Sequence, residues 1–291
     1  MSIKTNAIVT ASYGPDFERC RILCETIDAH VSGFTKHYIV VANDDLALFK
    51  ALEGPKRVVI ADKDLLPWWL MRVAGAIAPG GKPVWLSPFT APLHGWHVQQ
   101  LRRIAIAHYV SDDALFYCDS DTAFIRPFDL STLWRGDALR LYRETGTADT
   151  ALSDHRLWLH HAALTLRHDD VSQINDNYVG TFIAWRRDVV MAMCDHIASV
   201  HKRPWIGPIG RSRKFSECTL YGAYADTLAD PALHWHDDKG MCPMHWFDPA
   251  PTAAELVEMV ASLAPYEVGF GVQSFVPIEL EIFRSAALKR R

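Results

Sequence analysis

The N-terminal part of the chain alternates between short apolar runs and helical patterns, and this alternation limits the possible folds more than any other feature of the sequence. Strand-like apolar runs occupy residues 6–12, 37–44 and 57–62. Between them, residues 17–31 and 46–52 carry apolar side chains at the three-and-four spacing of a helix with one buried face. This order of elements is typical of a parallel sheet with right-handed crossovers. We therefore predict an α/β fold with an open, mostly parallel twisted sheet and helices on both faces.

A pair of aspartates follows the fourth predicted strand of this sheet. A helical segment at residues 95–110 leads into the apolar run 114–118, which ends at Asp119, Ser120 and Asp121. Side chains two apart in extended backbone point the same way, so we expect both carboxylates on one side of the chain at the carboxyl edge of the sheet. Folds of this kind bind their ligands at that edge.

The two carboxylates require a positive partner. They repel one another, and partial burial adds a desolvation cost to each charge. A divalent cation, Mn²⁺ or Mg²⁺, would balance them, because such ions are held by one or two carboxylates together with substrate phosphates. The alternative is that Asp119 and Asp121 only cap the following turn, where Asp and Ser are common. Their place at the end of a fourth parallel strand favours the metal site.

The later segments predict further elements around this sheet. Residues 63–95 hold three tryptophans among prolines and glycines, which indicates a surface excursion rather than a flexible linker. We predict a strand within residues 175–188 that ends at Asp188, the N-cap of the next helix. Ser216 is the predicted cap of a later helix, and residues 252–255 form a capping box.

Charge and cysteine usage restrict the class of protein. The formal net charge of −4 argues against nucleic acid as a partner. The six cysteines form no CxxC pair and the N-terminus lacks a signal-peptide pattern, so we expect reduced thiols in a cytoplasmic protein. No run approaches the roughly 18 apolar residues of a membrane-spanning helix. The basic end, residues 283–291, predicts at most peripheral contact with the inner face of the membrane, and a solvated tail is the alternative.

Several segments of the sequence together resemble a known group of enzymes. The apolar strand followed by Asp-x-Asp and FDLSTLW is similar to the DxD region of GT-A fold glycosyltransferases, particularly the glycogenin-like and bacterial polysaccharide transferases. TASYGPDF after the first strand, GWHVQQLRR before the aspartates and FSECTLYG late in the chain extend the resemblance. It implies a single GT-A-like domain over residues 1–291, with a nucleotide-binding half at 1–130 and an acceptor half with C-terminal helices at 131–291. It also implies a nucleotide-diphosphate sugar donor and a metal that bridges its diphosphate.

The resemblance assigns nucleotide and sugar contacts to particular residues. The nucleotide-binding set comprises Thr10, Ser12, Tyr13, Asp44, Arg103 and Ser120. Tyr13 would stack on the base, or is a plain turn aromatic. Arg103 would face the diphosphate through paired hydrogen bonds, or lies on a solvated helix face. The donor sugar and the acceptor would meet Gln100, Asn177, Tyr178 and Gly180.

The resemblance also implies a histidine ligand from the C-terminal part of the chain, beside Asp119 and Asp121. His234 and His236 are the candidates, and His245 is the reserve. The glycogenin-like pattern of His-x-x-Gly followed by Lys-Pro is absent, because His236 precedes the next glycine by four residues and no Lys-Pro follows.

Glu217 is the predicted catalytic residue. It follows the predicted N-cap of a helix, a position that favours a carboxylate. Inverting members of the resembling fold place an acid there as the base that takes the proton from the acceptor hydroxyl. If Glu217 serves only the helix dipole, the enzyme retains the anomeric configuration and needs no such base.

These expectations describe a metal-dependent glycosyltransferase with a slight preference for inversion. It would move a sugar from a nucleotide-diphosphate sugar, with UDP-sugars favoured, to a saccharide or lipid-linked acceptor in bacterial surface polysaccharide or glycoconjugate synthesis. One alternative is a metal-dependent nucleotidyltransferase or phosphohydrolase, which would call for a phosphate-cradling glycine loop that SYGPD lacks. The other alternative is a non-catalytic nucleotide-sugar binding protein.

Overall fold

The computed structural model describes residues 3–75, 82–147 and 154–288. Its strands are β1 (Asn6–Ala11), β2 (Val31–Ser32), β3 (His37–Val41), β4 (Arg57–Ala61), β5 (Met71–Val73), β6 (Val84–Leu86), β7 (Leu93–His94), β8 (Ala114–Tyr117), β9 (Thr122–Phe124), β10 (Phe128–Asp129), β11 (Trp134–Arg135), β12 (Ala138–Tyr142), β13 (Ile183–Arg186), β14 (His234–Asp237), β15 (Met244–His245) and β16 (Gly269–Val272). Its helices are α1 (Phe17–His30), α2 (Leu46–Phe49), α3 (Gly95–Ala105), α4 (His155–Leu166), α5 (Arg187–His201), α6 (Ile206–Ile209), α7 (Glu217–Thr227), α8 (Ala253–Ala261) and α9 (Leu280–Leu288).

A five-stranded sheet organises the fold in the order β13-β8-β1-β3-β4. β1 pairs in parallel with β3 and with β8, and β3 pairs in parallel with β4. β13 runs antiparallel to β8 at the sheet edge. The predicted α/β class and the mostly parallel sheet are therefore confirmed. All four parallel strands end at the same edge, which brings the segments after β1, β3, β4 and β8 together.

Helices cover both faces of this sheet. Ala7, Val9 and Leu115 belong to a buried cluster that includes side chains of α3, α5 and α7. The neighbouring residues Ile8 and Phe116 point to the opposite face and cluster with side chains of α1. This alternation follows from the two-residue period of a strand, and both faces are apolar because both are covered. The division of one domain into nucleotide-binding and acceptor halves stays a prediction.

Four smaller sheets accompany the central one in the described residues, among them β10-β2 and β11-β12-β14. The other two lie in the surface excursion and beside the aspartates. Within the predicted surface excursion, β5, β6 and β7 form an antiparallel sheet, while residues 76–81 lie outside the described part. β9, β15 and β16 form another, in which β16 pairs antiparallel with β9. Because β9 begins directly after the two aspartates, this pairing brings the segment following β16 beside them.

Two of the three predicted helix N-caps are confirmed. Ser216 caps α7 by accepting a hydrogen bond from the backbone N–H of Thr219 at 3.3 Å. The capping box at residues 252–255 is also present. The predicted N-cap role of Asp188 is wrong, because α5 begins at Arg187 and Arg186 is its N-cap. Asp188 lies in the first helical turn and pairs with Arg186 instead.

The strand predicted within residues 175–188 is shorter than its sequence pattern. Within this range only β13 belongs to the central sheet. Before it, Asn177 forms an isolated bridge with Glu144. Within residues 3–75, 82–147 and 154–288, no helix is long and apolar enough to cross a membrane. The last three residues of the predicted basic end, 289–291, lie outside the described residues.

Candidate active site at the carboxyl edge of the sheet

The two aspartates occupy a tight turn between β8 and β9. The carbonyl of Asp119 accepts hydrogen bonds from the N–H of Thr122 at 3.2 Å and from its hydroxyl at 2.7 Å. The prediction that extended backbone continues through Asp121 is therefore wrong, since the chain folds back to enter the next small sheet. The two carboxylates remain close enough for the charge of Asp119 to raise the pKa of Asp121.

Asp121 is buried with an incomplete set of partners. Its side chain is 5% exposed, and Oδ2 accepts a hydrogen bond from the N–H of Ser274 at 2.8 Å. Its other oxygen, Oδ1, has no hydrogen-bond partner among the described residues. Burial, followed by the charges of Asp119 and Asp16, raises the pKa of Asp121 to about 7. Such an atom costs free energy unless a ligand satisfies it.

A third carboxylate, Asp16, completes an acidic cluster that the sequence prediction missed. Asp16 follows β1 and accepts a hydrogen bond from the hydroxyl of Ser120 at 3.2 Å. Burial raises its pKa, and Asp119 adds to that effect. The side chain of Ser274 also lies within hydrogen-bonding reach of Asp16 and Tyr13. The loops after β1, β8 and β16 thus meet at one point.

Arg19 holds the loop after β16 in this place. Its guanidinium donates to the carbonyl of Val272 at 2.6 Å and to that of Val276 at 3.2 Å. The same charge opposes the rise in the pKa of Asp121. Arg19 therefore fixes the position of Ser274 and partly balances the acidic cluster.

The carboxylates fit a divalent cation through oxygen ligands. The unpaired Oδ1 of Asp121 and the partly exposed carboxylate of Asp119 are the donor type that Mn²⁺ and Mg²⁺ use. Such ions complete their shell with water and phosphate oxygens. Within the described ranges, no group of three or more His, Cys, Asp or Glu side chains is arranged to hold a metal ion.

The predicted histidine ligands are not brought together with the aspartates. His234 bonds to the hydroxyl of Tyr221 at 2.9 Å, and His236 bonds to Asp226 at 2.8 Å. Both lie on β14, which belongs to the sheet of β11 and β12. Of the three histidines considered, only His245 shares a sheet with β9, and its Nε2 bonds to the carbonyl of Pro249 at 2.9 Å.

A buried ion pair connects the aspartates to the start of α7. The Nη1 atom of Arg103 lies 3.0 Å from Glu217 and 3.8 Å from Asp119. Arg103 is 8% exposed and its Nε has no described partner, so it does not lie on a solvated helix face. Its guanidinium also covers the ring of Tyr117, 4.8 Å from the ring centroid. Arg103 is thereby fixed beside both acids.

Glu217 is held at the first position of α7 by a neighbour on α3. The Oε1 of Gln100 accepts a hydrogen bond from the backbone N–H of Glu217 at 2.9 Å, while the Nε2 of Gln100 has no described partner. Burial raises the pKa of Glu217, and Arg103 opposes that rise. The predicted site residues are therefore linked in a row, in which Glu217 contacts Gln100 and Arg103, and Arg103 lies beside Asp119.

The predicted nucleotide contacts after β1 and β3 are spread over a wider region. Thr10 is fully buried, and its hydroxyl bonds to His37 and Cys118. Ser12 is buried with an unpaired hydroxyl, whereas the side chain of Tyr13 is 47% exposed. Asp44 is exposed and forms an ion pair with Arg72. Of these residues, Tyr13 presents an accessible aromatic surface beside the acidic cluster.

The residues predicted to meet the sugar or acceptor divide into two groups. Gln100 lies at Glu217, as described above. Asn177 donates to Glu144 at 2.8 Å, and Tyr178 donates to Asp226 at 2.7 Å. Gly180 packs against Tyr142, where an added Cβ would approach the ring within 3.1 Å. The backbone of Gly180 also lies within hydrogen-bonding reach of the thiol of Cys218, the residue after Glu217. Asn177 and Tyr178 therefore bond to acids other than Asp119 and Asp121, whereas Gly180 borders the start of α7.

Asp16 and Ser274 are the functional candidates that the sequence pattern missed. The order of elements could have located Asp16, because it follows β1, and β1 ends at the same sheet edge as the strand before Asp119, β8. Ser274 had no such sequence signal, since it reaches Asp121 across a sequence separation of 153 residues. Its position depends on the pairing of β16 with β9.

Comparison with known proteins identifies a family whose function is unknown. A family model described as "Family of unknown function (DUF6492)" matches residues 3–264. A search of the curated proteins gave no match.

Proposed function

We propose that this chain, which belongs to the DUF6492 family, is a metal-dependent glycosyltransferase that uses a nucleotide-diphosphate sugar. The observation that carries the proposal is the unpaired, buried Oδ1 of Asp121 within a cluster of three carboxylates at the carboxyl edge of a parallel sheet. Repulsion among Asp16, Asp119 and Asp121 favours a bound cation. The resemblance of the surrounding segments to GT-A fold enzymes supports the sugar nucleotide as the substrate.

Asp119 and Asp121 would hold Mn²⁺ or Mg²⁺, which would supply positive charge to the diphosphate leaving group. Arg103 lies beside Asp119 and contributes a permanent positive charge in a buried place, where charges interact strongly. Two buried donors at the site, Nε of Arg103 and Nε2 of Gln100, have no described partner. Ser274 and Arg19 keep the orientation of Asp121 fixed.

Glu217 is the proposed base. In the transfer, the bond from the sugar carbon to the diphosphate oxygen breaks, and its electron pair leaves with the diphosphate. The acceptor hydroxyl forms the new bond to carbon and gives its proton to Glu217. Burial raises the pKa of Glu217 and so increases its basicity, while Arg103 holds the carboxylate in place. Tyr13 would stack on the base of the donor, for which a UDP-sugar is the first choice.

The acceptor is proposed to be a saccharide or a lipid-linked saccharide of a bacterial surface polysaccharide or glycoconjugate. The proposed location is the cytoplasm or the inner face of the membrane. The acceptor assignment rests on the resemblance to GT-A enzymes, and the proposed location rests on the six unpaired cysteines.

Incubation of the full chain with nucleotide-diphosphate sugars and Mn²⁺ tests the proposal. We expect release of nucleoside diphosphate, at a rate at least about 100-fold lower in Asp121→Asn. Glu217→Gln should lower transfer by about 10²–10⁴-fold while Mn²⁺-dependent donor binding persists in thermal-shift measurements. The exposed Asp238 provides a matched control, and Asp238→Asn should retain the wild-type rate.

The products distinguish this proposal from the alternative chemistry. Release of nucleoside monophosphate and sugar phosphate would indicate attack at phosphorus. The enzyme would then be a nucleotidyltransferase or phosphohydrolase and not a glycosyltransferase. A wild-type rate in Asp121→Asn would contradict the role of the aspartates. Donor binding without turnover over a broad range of acceptors would favour the non-catalytic binding protein.

A further inference from the structure

An exposed apolar patch lies on the surface excursion. We define it as Trp68, Met71, Leu86 and Phe89, whose exposed fractions are 88%, 58%, 42% and 44%. Met71 and Leu86 are directly paired across β5 and β6, so their side chains share one face. Trp68, Met71 and Phe89 also line an open cleft of about 470 Å³ whose surface is almost wholly apolar.

The backbone beneath the patch is well supported. The rings of Trp69 and Phe89 pack edge to face, 5.1 Å apart. The backbone N–H of Ala91 donates to the carbonyl of Gly210 at 2.8 Å, which ties the excursion to the segment around α6. Large exposed apolar side chains on such a support are uncommon unless they meet a partner or a membrane.

A basic segment borders the patch. Residues 196–216 contain five Lys or Arg residues and no Asp or Glu, although the whole chain has a net charge of −4. Pro204 lines the apolar cleft together with Trp68. A Cβ added to Gly207 would lie 3.5 Å from Phe89 and 3.6 Å from Arg203, so the patch and the basic side chain approach the same point.

Three of these cations are available to an external anion. Lys202, Arg203 and Arg211 are exposed, and none forms an ion pair with a described residue. Arg211 directly follows Gly210, which contacts Thr90 next to Phe89. Positive charges therefore flank the apolar patch on the side of α6.

We propose that the apolar patch and the adjoining basic segment dock the protein onto the surface of an anionic phospholipid bilayer. Trp side chains are favoured at the headgroup level of a bilayer, where apolar rings and water meet. Each Lys or Arg near an anionic surface adds electrostatic attraction that falls off within a Debye length. The flanking positive charges favour an anionic surface over a neutral one, and the exposed ring of Trp68 favours the headgroup region of a bilayer as that surface. The inference does not depend on the proposed transfer reaction.

Co-sedimentation of the full chain with phospholipid vesicles tests the docking. We expect binding to vesicles of phosphatidylcholine with phosphatidylglycerol, little binding to phosphatidylcholine alone, and release at about 0.5 M salt. Trp68→Ser with Met71→Ser should weaken binding at least about tenfold, because two apolar contacts are lost. Arg203→Glu with Arg211→Glu should weaken it at least about tenfold and abolish the preference for the anionic lipid.

Matched controls separate the patch from general effects of composition. Phe275→Ser removes an apolar side chain of 64% exposure elsewhere on the surface, and Lys50→Glu with Lys56→Glu reverses two exposed charges before β4. Both controls should bind as the wild type does, and all variants should melt as folded proteins.

Two results would overturn the proposal. The first is a folded wild-type chain that binds neither vesicle composition, or that binds equally well when the patch is substituted. The second is concentration-dependent dimerisation in analytical ultracentrifugation that Trp68→Ser with Met71→Ser abolishes, in the absence of vesicle binding. That result would make the patch an interface between copies of the chain.

Discussion

Asp121→Asn should stabilise the metal-free protein while it removes the response to Mn²⁺. The substitution keeps the oxygen that accepts from Ser274 and removes the buried charge. The pKa of Asp121 is raised from 3.8 to about 7, so above neutral pH the ionised carboxylate opposes folding. A shift of about three pKa units corresponds to about 4 kcal/mol. Because the site relaxes around the charge, we expect a gain of about 2–4 kcal/mol in the free energy of unfolding.

The pH dependence of this gain has a defined sign. Between pH 3.8 and about 7, the native state holds a proton on Asp121 that the unfolded state has lost. The stability that the protonated group contributes is therefore lost as the pH rises through this window, and Asp121→Asn does not share the loss. The gain should be largest at about pH 8 and less than half as large at about pH 5.

Urea denaturation in EDTA, followed by thermal shift with added Mn²⁺, measures both effects. The wild type should gain about 2.7 kcal/mol at a Mn²⁺ concentration near 100 times its dissociation constant, and Asp121→Asn should gain almost nothing. Asp238→Asn, an exposed control, should match the wild type in both measurements. If Asp121→Asn is less stable than the wild type in EDTA, or is stabilised by Mn²⁺ to the same extent, the reasoning about the acidic cluster fails.

Three further predictions concern the framework around the site. Gly222→Ala places a Cβ 2.2 Å from the ring of Tyr178. Urea titration should show a free energy of unfolding that is lower by about 1–3 kcal/mol, and unchanged stability would contradict this packing. Asp62→Ala leaves Arg102, its buried partner at 2.6 Å, without a counter-charge and should cost about 3–5 kcal/mol, while Asp62→Leu with Arg102→Met should cost less. Burial lowers the pKa of His161 to about 4, so the contribution of His161 to stability should fall as the pH drops from 6.5 to 4, opposite in sign to the contribution of Asp121. His161→Phe should remove about one proton from the difference in proton uptake between the unfolded and native states. Melting curves recorded between pH 4 and 6.5 measure this change.

The central sheet could be predicted because its strands are continuous apolar runs. The three runs at residues 6–12, 37–44 and 57–62 overlap β1, β3 and β4 closely. Strands covered on both faces need apolar side chains at nearly every position, and this signal is local. The segment before β13 misled the prediction because its apolar residues pack outside the sheet. Phe182, for example, stacks on Phe124 with 4.4 Å between ring centroids.

The candidate site could be predicted only where it follows sequence order along the sheet edge. Asp119 and Asp121 follow a strand, and Glu217 follows a cap, so local rules locate all three. Contacts across long sequence separations have no such signal. Ser274 and Arg19 meet Asp121 only because α1, β9 and β16 pack together, and their own neighbours in sequence show no pattern for that packing.

The unpaired atoms at the site form a set whose members require different partners. Gln100 Nε2 and Arg103 Nε are donors, whereas Asp121 Oδ1 is an acceptor, and none has a described partner. Unpaired buried atoms also occur elsewhere in the described chain. These three side chains are linked, because Gln100 contacts Glu217, Arg103 lies between Glu217 and Asp119, and the charge of Asp119 acts on Asp121. Each unpaired group costs about 1–3 kcal/mol, so a site shaped only by stability would pair them with one another. An anionic ligand with a bound cation offers oxygen atoms to the donors and positive charge to the carboxylate at once, and a diphosphate with Mn²⁺ or Mg²⁺ has this composition.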